Sequence, residues 1–513
     1  MVPMRRTFRL ASAVAIAPTA LLGMMIARAA DRDVVIGERP TIEVHLDQAK
    51  IESGEVTLKE SLRRGRILFE AAFNKLDGQG RPLSRGNGVP RAAGQPAFIR
   101  TSGPDSNSCL GCHAQPRSGG GGDFVANVFV LAQTLDPVTF SVDGAFSNER
   151  NTLGMMGAGP IEMLAREMTA ELIAIRDSAR AQAQATGVPV TRRLTAKGIA
   201  FGSVTVMPDG RVDPTAIEGV DWDLVVKPFH QKGAVVSLRE FTNNAMNHHH
   251  GMQSVERFGL DTDPDGDGVT NELTVGDITA ATLFQAALNT PGRLLPASSA
   301  RRAAAEHGEQ VFTAIQCSRC HVPALVLNNP VFTEPNPFNP SAPDHNLQVS
   351  EVSRLVSFDM TREGPAPRLE RLPHGRALVR AFTDLKRHDL NDADYDHFAN
   401  EQVPQGRLNG FAPASAFTVA PPPRPTRQFL TRKLWDAGNS APYGHRGDLT
   451  TLTEAIHFHG GEARAARDAF FNLPADDQAA VIEFLKTLQI LPDGSPRVVV
   501  EGERRGDDRE DRQ

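Results

Sequence analysis

All four cysteines of the chain lie in two copies of one pattern, C-x-x-C-H, at 109–113 and at 317–321. Two thiols at this spacing can add to the two vinyl groups of a porphyrin, and the adjacent histidine can then bind the iron. A thioredoxin-like pair and a Cys/His zinc site are the alternatives, but two copies that use every cysteine favour covalent haem c. The expected attachment residues are Cys109, Cys112, Cys317 and Cys320, and the expected proximal iron ligands are His113 and His321.

The first 30 residues have the pattern of a secretory signal peptide. Arg5, Arg6 and Arg9 precede an apolar run, and the small-residue sequence ARAAD ends it. An uncleaved membrane anchor is the alternative, but Pro18 and the small-residue end favour cleavage. Later in the chain no apolar stretch approaches the roughly 20 residues of a spanning helix. We therefore expect a periplasmic or secreted protein with no stable membrane span.

Charge and composition exclude one class of partner. The 513 residues carry 55 basic and 61 acidic side chains, for a formal net charge of −6. A broad basic surface for nucleic acid is therefore not expected. The last segment, 493–513, is rich in both signs of charge and is predicted to be a disordered tail.

A repeated phrase suggests two haem modules. The sequence G-x-x-[LV]-F begins at Gly65 and again at Gly308, and it resembles the amino-terminal helix of a class I cytochrome c domain. Alternating residues at 194–213 predict a small β-hairpin with a Pro-Asp-Gly turn. The predicted fold is mainly α, with two class I cytochrome c-like haem domains and long loops. The predicted segments are an N-terminal haem domain at 31–240, a middle segment at 241–294 and a C-terminal haem domain at 295–492.

The middle segment contains a calcium-type loop, DTDPDGDGVTNE, at 261–272. It fits D-x-D-x-D-G-x5-E, which supplies carboxylate oxygens around a sharp glycine turn, as a hard cation requires. Gly268 replaces the apolar residue that usually pairs two such loops, so a single loop is expected. An acidic turn without an ion is the alternative. The expected calcium ligands are Asp261, Asp263, Asp265, Asp267 and Glu272.

Four phrases together carry a family resemblance. They are APYGHRG at 441–447, TLTEAI at 451–456, DLKRHDL at 384–390 and GPIEM at 159–163. With the two C-x-x-C-H sequences, they resemble the bacterial di-haem cytochrome c peroxidase superfamily, and more closely its di-haem oxidoreductase branch. The resemblance implies two haem c groups and a redox function. It specifies the reaction less well, because relatives include peroxidases, protein-modifying enzymes and rubber-cleaving oxygenases.

The resemblance also implies axial ligands. After the helix that corresponds to TLTEAI, the peroxidases place a methionine ligand and the amine-cofactor-maturing relatives a tyrosine; this chain has His459. We therefore predict His321/His459 ligation of the second iron. Alternatively, His459 binds a propionate, and His457 or nothing binds the iron. No histidine lies between His113 and His230, so the first iron is either open or takes a ligand from the middle segment, where 248–250 are histidines.

Glu162, in the phrase GPIEM, matches a distal glutamate of the peroxidases, where a carboxylate can move a proton between peroxide oxygens. An ordinary glutamate near a helix start is the alternative. The implied function is an exported di-haem peroxidase. Electrons from a small donor protein such as a cytochrome c enter at the C-terminal haem, reach a reactive N-terminal haem, and reduce peroxide or another small oxidant. A di-haem electron carrier without catalysis, and an oxygenase or protein-modifying enzyme, are the alternatives.

Overall fold

The structure, a computed structural model, describes residues 37–80, 106–127, 149–341, 345–392, 416–419 and 427–502. The predicted signal peptide lies outside these residues. Of the described residues, 37% are helical and 17% lie in strands, so the architecture is mixed rather than mainly α. No helix in this part of the chain is both long and apolar enough to cross a bilayer.

Ten α-helices are found in the described part of the chain. They are α1 Gln48–Ser53, α2 Leu58–Glu70, α3 Ala158–Thr186, α4 Leu238–Ala245, α5 Val255–Phe258, α6 Val275–Ala286, α7 Ser299–Ala314, α8 Leu452–His457, α9 Arg464–Phe471 and α10 Ala475–Thr487. Thr57, Thr274, Ser298 and Thr451 cap α2, α6, α7 and α8, because each side-chain oxygen accepts a hydrogen bond from a backbone N–H of the first turn. Each attachment sequence begins as a short 3₁₀ turn, at Cys109–Gly111 and Cys317–Arg319.

The strands are short and form six small sheets among the described residues. They are β1 Gly122–Asn127, β2 Glu149–Thr152, β3 Val190–Ala196, β4 Ile199–Val206, β5 Val212–Asp213, β6 Gly292–Leu295, β7 Leu325–Leu327, β8 Val331–Glu334, β9 Val356–Asp359, β10 Glu370–Arg371, β11 Ala377–Val379, β12 Arg387–Asp389, β13 Gln428–Leu430, β14 Leu488–Gln489 and β15 Val499–Glu501. The sheet orders are β1-β2, β3-β4-β5, β10-β11-β7, β8-β9, β12-β13 and β14-β6-β15. Only the β6–β15 pair is parallel within this described set.

The two glycines of the repeated phrase mark two close helix crossings. A Cβ atom at Gly65 of α2 would lie 2.0 Å from the backbone oxygen of Ala280 in α6. At Gly308 of α7, it would lie 1.9 Å from the backbone oxygen of Ala480 in α10. Both positions therefore require glycine for the backbones to approach. The helix that precedes each attachment sequence is thus fixed against a later helix in the same way.

Each crossing has its own apolar cluster, and the cluster lies beneath one attachment sequence. Leu68, Phe73 and Ile278 belong to the first cluster, against which Cys109 packs. Phe312 and Phe484 belong to the second, against which Cys317 packs. A third and larger cluster joins α3 to the β3-β4-β5 sheet and extends to β7, β8 and β11. Each C-x-x-C-H sequence therefore lies on an apolar cluster of its own, separate from the larger third cluster.

The structure bears on several sequence predictions. The predicted hairpin is present, but it begins earlier, at Val190, and gains a short third strand. The tail predicted from residue 493 begins too early, because Val499–Glu501 pair with β6; residues 503–513 lie outside the described residues. The domain boundaries and the class I haem domains stay predictions.

Gly308→Ala should destabilise the second crossing. The added methyl group meets backbone rather than a movable side chain, and overpacking of this kind costs about 1–3 kcal/mol. Chemical unfolding followed by circular dichroism would measure the loss. Ala303→Ser, on the exposed side of α7, is the control and should change the free energy of unfolding by less than about 0.5 kcal/mol. Equal stability of the Gly308 variant and the wild type would contradict the crossing.

Candidate functional site

Both attachment sequences open into one cavity of about 690 Å³. Its wall is mainly apolar, with Phe69 and Phe241 near the first sequence and Phe429 and Phe470 near the second. Enclosed, mostly apolar cavities with a few polar groups are typical of sites for organic cofactors. Because the six cysteine and histidine side chains of the two patterns all line this space, two covalently attached groups would share it.

Backbone carbonyls orient the three predicted iron ligands. The Nδ1 atoms donate to carbonyl oxygens in three pairs: His113 to Gly120 (3.3 Å), His321 to Phe382 (3.0 Å) and His459 to Ala455 (2.7 Å). A carbonyl oxygen can only accept, so Nδ1 carries the proton in each ring. Nε2 is then the basic nitrogen, and the hydrogen bond fixes the ring orientation, as is usual for metal-binding histidines.

The same three rings are neutral at physiological pH. Burial lowers the pKa of His113 and of His321 to about 4 and lowers the pKa of His459 below its usual value. A neutral imidazole is the form that binds a metal. The histidines therefore meet the chemical requirement for iron ligands without any loss of a proton.

His321 and His459 face each other at a suitable separation. Their ring centroids lie 6.3 Å apart, with an angle of 50° between the ring planes. Two imidazoles that bind one ion from opposite sides have centroids roughly 6 Å apart, because each metal–nitrogen bond is about 2 Å long. His457, the alternative ligand, does not line the cavity and packs against Phe458 and Phe471. The geometry fits ligation of a second iron by His321 and His459.

The histidine cluster of the middle segment lies at the first attachment sequence. Met246–His250 form a π-helical turn, a rare conformation that is frequent at functional sites. His249 and His250 line the cavity, whereas His248 does not. His250 donates from Nδ1 to the backbone oxygen of Ser106 (2.8 Å), and its Nε2 lies 3.4 Å from the Cys109 sulfur. Of the three, His249 and His250 are therefore placed on the cavity wall, and His250 lies against the Cys109 sulfur.

Glu162 is buried beside the cavity but does not line it. Its Oε1 accepts from Arg166 Nε (3.1 Å) and from Asn336 (2.8 Å), and its Oε2 accepts from the backbone N–H of Leu238 (2.7 Å). Leu238 is the first residue of α4 and lines the cavity. These contacts favour a positioning role for Glu162, which holds α4 in the wall. Its direct part in proton transfer stays a prediction.

Two polar groups on the wall were not singled out from the sequence. Lys433 donates to Asp436 (2.8 Å) beside Arg432, and burial lowers the pKa of Lys433 to about 8. Such cations suit the carboxylates of a haem. His388 lies between Asp384 and Glu462 and near the Cys320 sulfur. His388 lies in the phrase DLKRHDL, and Lys433 lies in the sequence FLTRKLWDAG at 429–438, but neither pattern singles out these side chains.

The calcium-type loop brings together three of its aspartates. Carboxylate oxygens of Asp263, Asp265 and Asp267 lie within 4.8 Å of one another. Asp265 is 2% exposed, and neither of its oxygens has a hydrogen-bond partner. Glu272 is not part of this group, but it is 4% exposed, its Oε1 also has no hydrogen-bond partner, and it interacts electrostatically with all three aspartates. Buried carboxylate oxygens without donors require a cation or a proton, so this donor set fits a hard cation.

Asp261 is placed differently from the other predicted calcium ligands. Its side chain is exposed and accepts a hydrogen bond from the Asn271 amide (2.8 Å). It is not part of the group formed by Asp263, Asp265 and Asp267. Ligation by Asp261 therefore stays a prediction that the arrangement of the other carboxylates does not support.

Comparison with known proteins supports an oxidoreductase that carries haem. Residues 425–488 match the sequence model of the family described as "Di-haem oxidoreductase, putative peroxidase", which confirms the family resemblance over this C-terminal part. No curated protein matches the chain.

Two similar solved structures are a hydrazine synthase from Kuenenia stuttgartiensis and a MauG-like protein associated with microbial copper homeostasis. The hydrazine synthase is 13% identical to this chain. The match covers 94% of this chain and 100% of the synthase chain, with a TM-score of 0.36. The MauG-like protein is 16% identical to this chain. The match covers 64% of this chain and 88% of the MauG-like chain, with a TM-score of 0.23.

Calcium should remove a pH dependence of stability that the loop creates. Burial raises the pKa of Asp265 to about 7 and that of Glu272 to about 10, and neighbouring carboxylates add to both shifts. Without a cation, the folded state holds these protons more tightly than the unfolded state. The free energy of unfolding should then fall as the pH rises from about 5 to 8. With calcium bound, the carboxylates are compensated and the fall should disappear.

Unfolding titrations in chelator and in calcium, at several pH values, would measure this difference. Asp265→Asn should abolish the response to calcium. Asp209→Asn, at an exposed turn outside the loop, should retain it. An identical pH dependence with and without calcium, and no ion in the purified protein, would leave the loop as an acidic turn.

Proposed function

We propose that the protein is an exported di-haem c-type oxidoreductase of the peroxidase kind. Haem attached at Cys109 and Cys112 would form the reactive site, and haem attached at Cys317 and Cys320 would receive electrons from a small protein such as a cytochrome c. One observation carries the proposal: both attachment sequences open into the same apolar cavity, where the neighbouring histidines are neutral and already oriented.

The chain's own residues distinguish the two ends of the cavity. At the second end, next to Cys317 and Cys320, His321 and His459 would both hold the iron, which would leave no place for an external ligand. At the first end, next to Cys109 and Cys112, the His113 ring is oriented by the Gly120 carbonyl. His250 donates to the Ser106 carbonyl and lies against the Cys109 sulfur. This difference supports an open first site and a closed second site.

When bound, the haems supply one-electron redox chemistry and an iron able to bind peroxide. The residues around them exclude water and set the charge. Phe69 and Phe241 make the first end apolar, while Gln231 and Gln285 supply polar groups on the same wall. Lys433 and Arg432, paired with Asp436 on the cavity wall, supply positive charge that suits the carboxylates of a haem.

We further propose that Asp263, Asp265, Asp267 and Glu272 bind one calcium ion. Glu272 connects this loop to the region of the first site. Its Oε2 accepts a hydrogen bond from the backbone N–H of Gln253 (2.7 Å). It also packs against Gly78, where an added Cβ atom would lie 2.3 Å from the Glu272 carboxyl carbon. Two residues on, the Gly80 N–H donates to the His250 carbonyl (3.1 Å). A bound cation would thereby fix the π-helical turn next to Cys109.

An electron carrier without catalysis is the second candidate, and the position of His249 favours it. If His249 closed the first iron, both irons would have two protein ligands and peroxide would have no site. The ferric spectrum separates the two functions, because an enzyme retains a high-spin component that cyanide converts.

The haem content and ligation can be tested on the exported protein. Mass spectrometry of the denatured wild type should show two covalent haems, and Cys109→Ala or Cys317→Ala should each leave one. His459→Gly should convert the second iron to high spin and slow electron delivery to peroxide, whereas His457→Gly, outside the cavity, should change neither. One haem or none in the wild type would refute the proposal. Cyanide binding at the second iron of the wild type would reverse the roles of the two sites.

The variant Glu162→Gln distinguishes a positioning role of Glu162 from a direct role in proton transfer. A glutamine amide cannot accept all the donors that converge on this carboxylate, so the positioning role predicts a lower melting temperature and a shifted first-haem spectrum, together with slower peroxide turnover. Thermal melting, absorption spectra and steady-state kinetics would be measured on one preparation. A loss of about 10²-fold in turnover, with melting and spectra unchanged, would instead establish direct proton transfer.

A further inference from the structure

The wall next to Cys320 carries a charged cluster that the proposed ligands do not explain. His388 Nε2 lies 2.8 Å from Asp384 Oδ2, and His388 Nδ1 lies 2.8 Å from Glu462 Oε2. Since each ring nitrogen faces a carboxylate oxygen, both nitrogens donate and the ring is an imidazolium. Burial alone would lower the pKa of His388, but hydrogen bonds to Asp384, Cys320 and Glu462 raise it to about 11.

The cluster runs from the interior to solvent. The side chains of Asp384, His388 and Glu462 are 3%, 10% and 52% exposed. His388 and Glu462 line the cavity. A positive charge is therefore fixed on the wall, with one partner sealed in the protein and the other in contact with water.

Local structure explains why these side chains meet. His388 lies in β12, where it pairs with Phe429 of β13. The chain after His459 turns back against the end of this strand. At Gly461, with φ +52°, a Cβ atom would lie 2.3 Å from the Asp389 oxygen, so this approach requires glycine. Glu462 follows at once, and its Oε1 accepts from the Asp389 N–H (2.9 Å).

A metal ion is a poor occupant of this cluster. Cys320, Asp384 and His388 bring possible ligand atoms within 4.8 Å of one another. However, both nitrogens of His388 are committed to carboxylates, and a protonated ring cannot bind a metal. Cys320 is also one of the two thiols of an attachment sequence. The cluster therefore acts as a fixed set of charges at the edge of the second haem site.

We propose that the His388 imidazolium, held between Asp384 and Glu462 against Cys320, is a positioning residue that raises the reduction potential of the second haem. The inference rests on the proposed function, because it requires a haem at Cys317 and Cys320. Axial ligation by two histidines gives a low potential, and charge and hydrogen bonding near the cofactor are the levers by which a protein adjusts it. A nearby positive charge favours the reduced iron, which carries one positive charge fewer.

The test is a redox titration of the holoprotein that follows the two haems separately by their spectra. His388→Gln should shift the reduction equilibrium of the second haem toward the oxidised form by about tenfold, which is 59 mV for a one-electron couple. Glu462→Gln removes a negative charge and should shift it the other way, by about twofold to threefold because this side chain is half exposed. The first haem should change less than the second in both variants.

His307→Gln is the matched control. It removes an imidazole–carboxylate pair, His307 with Asp477 (2.7 Å), that lies outside the cavity on the helix before the second attachment sequence. It should leave both potentials unchanged. If His388→Gln is too unstable to purify, His388→Asn is measured in its place, and an unchanged second potential in that variant would overturn the inference.

Two kinds of failure can be told apart. A wild type with two covalent haems and an unchanged second potential in His388→Gln would overturn this inference alone. A shift of the potential in the same direction in His388→Gln and Glu462→Gln would also overturn it. A wild type that lacks a haem at Cys317 and Cys320 would overturn the proposed function itself.

Discussion

The site depends on the hydrogen bonds that backbone carbonyls make to the histidines of the cavity. The clearest case is His321, whose partner carbonyl belongs to Phe382. Phe382 and Leu385 both have positive φ, at 53° and 54°, which costs a residue with a side chain of order 1–3 kcal/mol. The Phe382 ring packs against Phe312 and Phe484, and this packing holds the backbone in place. The core of the second module thus sets the direction of one imidazole.

In the first module, a histidine ring of the cavity is also held in a fixed orientation, but by different contacts. Phe73 packs against the His250 ring, and the Ser106 carbonyl accepts from its Nδ1. His250 then lies against Cys109, so one ring is fixed by an aromatic neighbour, a carbonyl and a sulfur atom. In both modules the residues that would bear on the cofactor are held by packed neighbours rather than by loops alone. That arrangement explains why each attachment sequence lies over an apolar cluster.

Features that depend on neighbouring residues in the chain were predictable. The hairpin predicted at 194–213 and the grouping of Asp263, Asp265 and Asp267 in the calcium-type loop both follow from local spacing. The shared cavity was not predictable, because it needs 109–113 and 317–321 to meet through packing that no local pattern encodes. Asp384, His388 and Glu462 were missed for a similar reason: the first two are neighbours in sequence, but Glu462 joins them only because Gly461 lets the chain return. The pairing of Val499–Glu501, where a tail was predicted, depends likewise on a distant strand, β6.

The two ends of the cavity differ in the charges on their walls, and this difference bears on the roles proposed for them. The second end combines a closed pair of imidazoles with a fixed imidazolium, two carboxylates and Arg467 on the wall. At the first end, burial lowers the pKa of His113 and of His250 to about 4, so both rings are neutral. The Asp436 carboxylate lies against Gly154 there and is paired with Arg432 and Lys433. Fixed charges on the wall keep the reduction potential of a nearby haem constant. This suits a haem that only gains and loses electrons. An end with neutral histidines, and with its charges paired to one another, suits a reaction in which an uncharged oxidant must enter and bind.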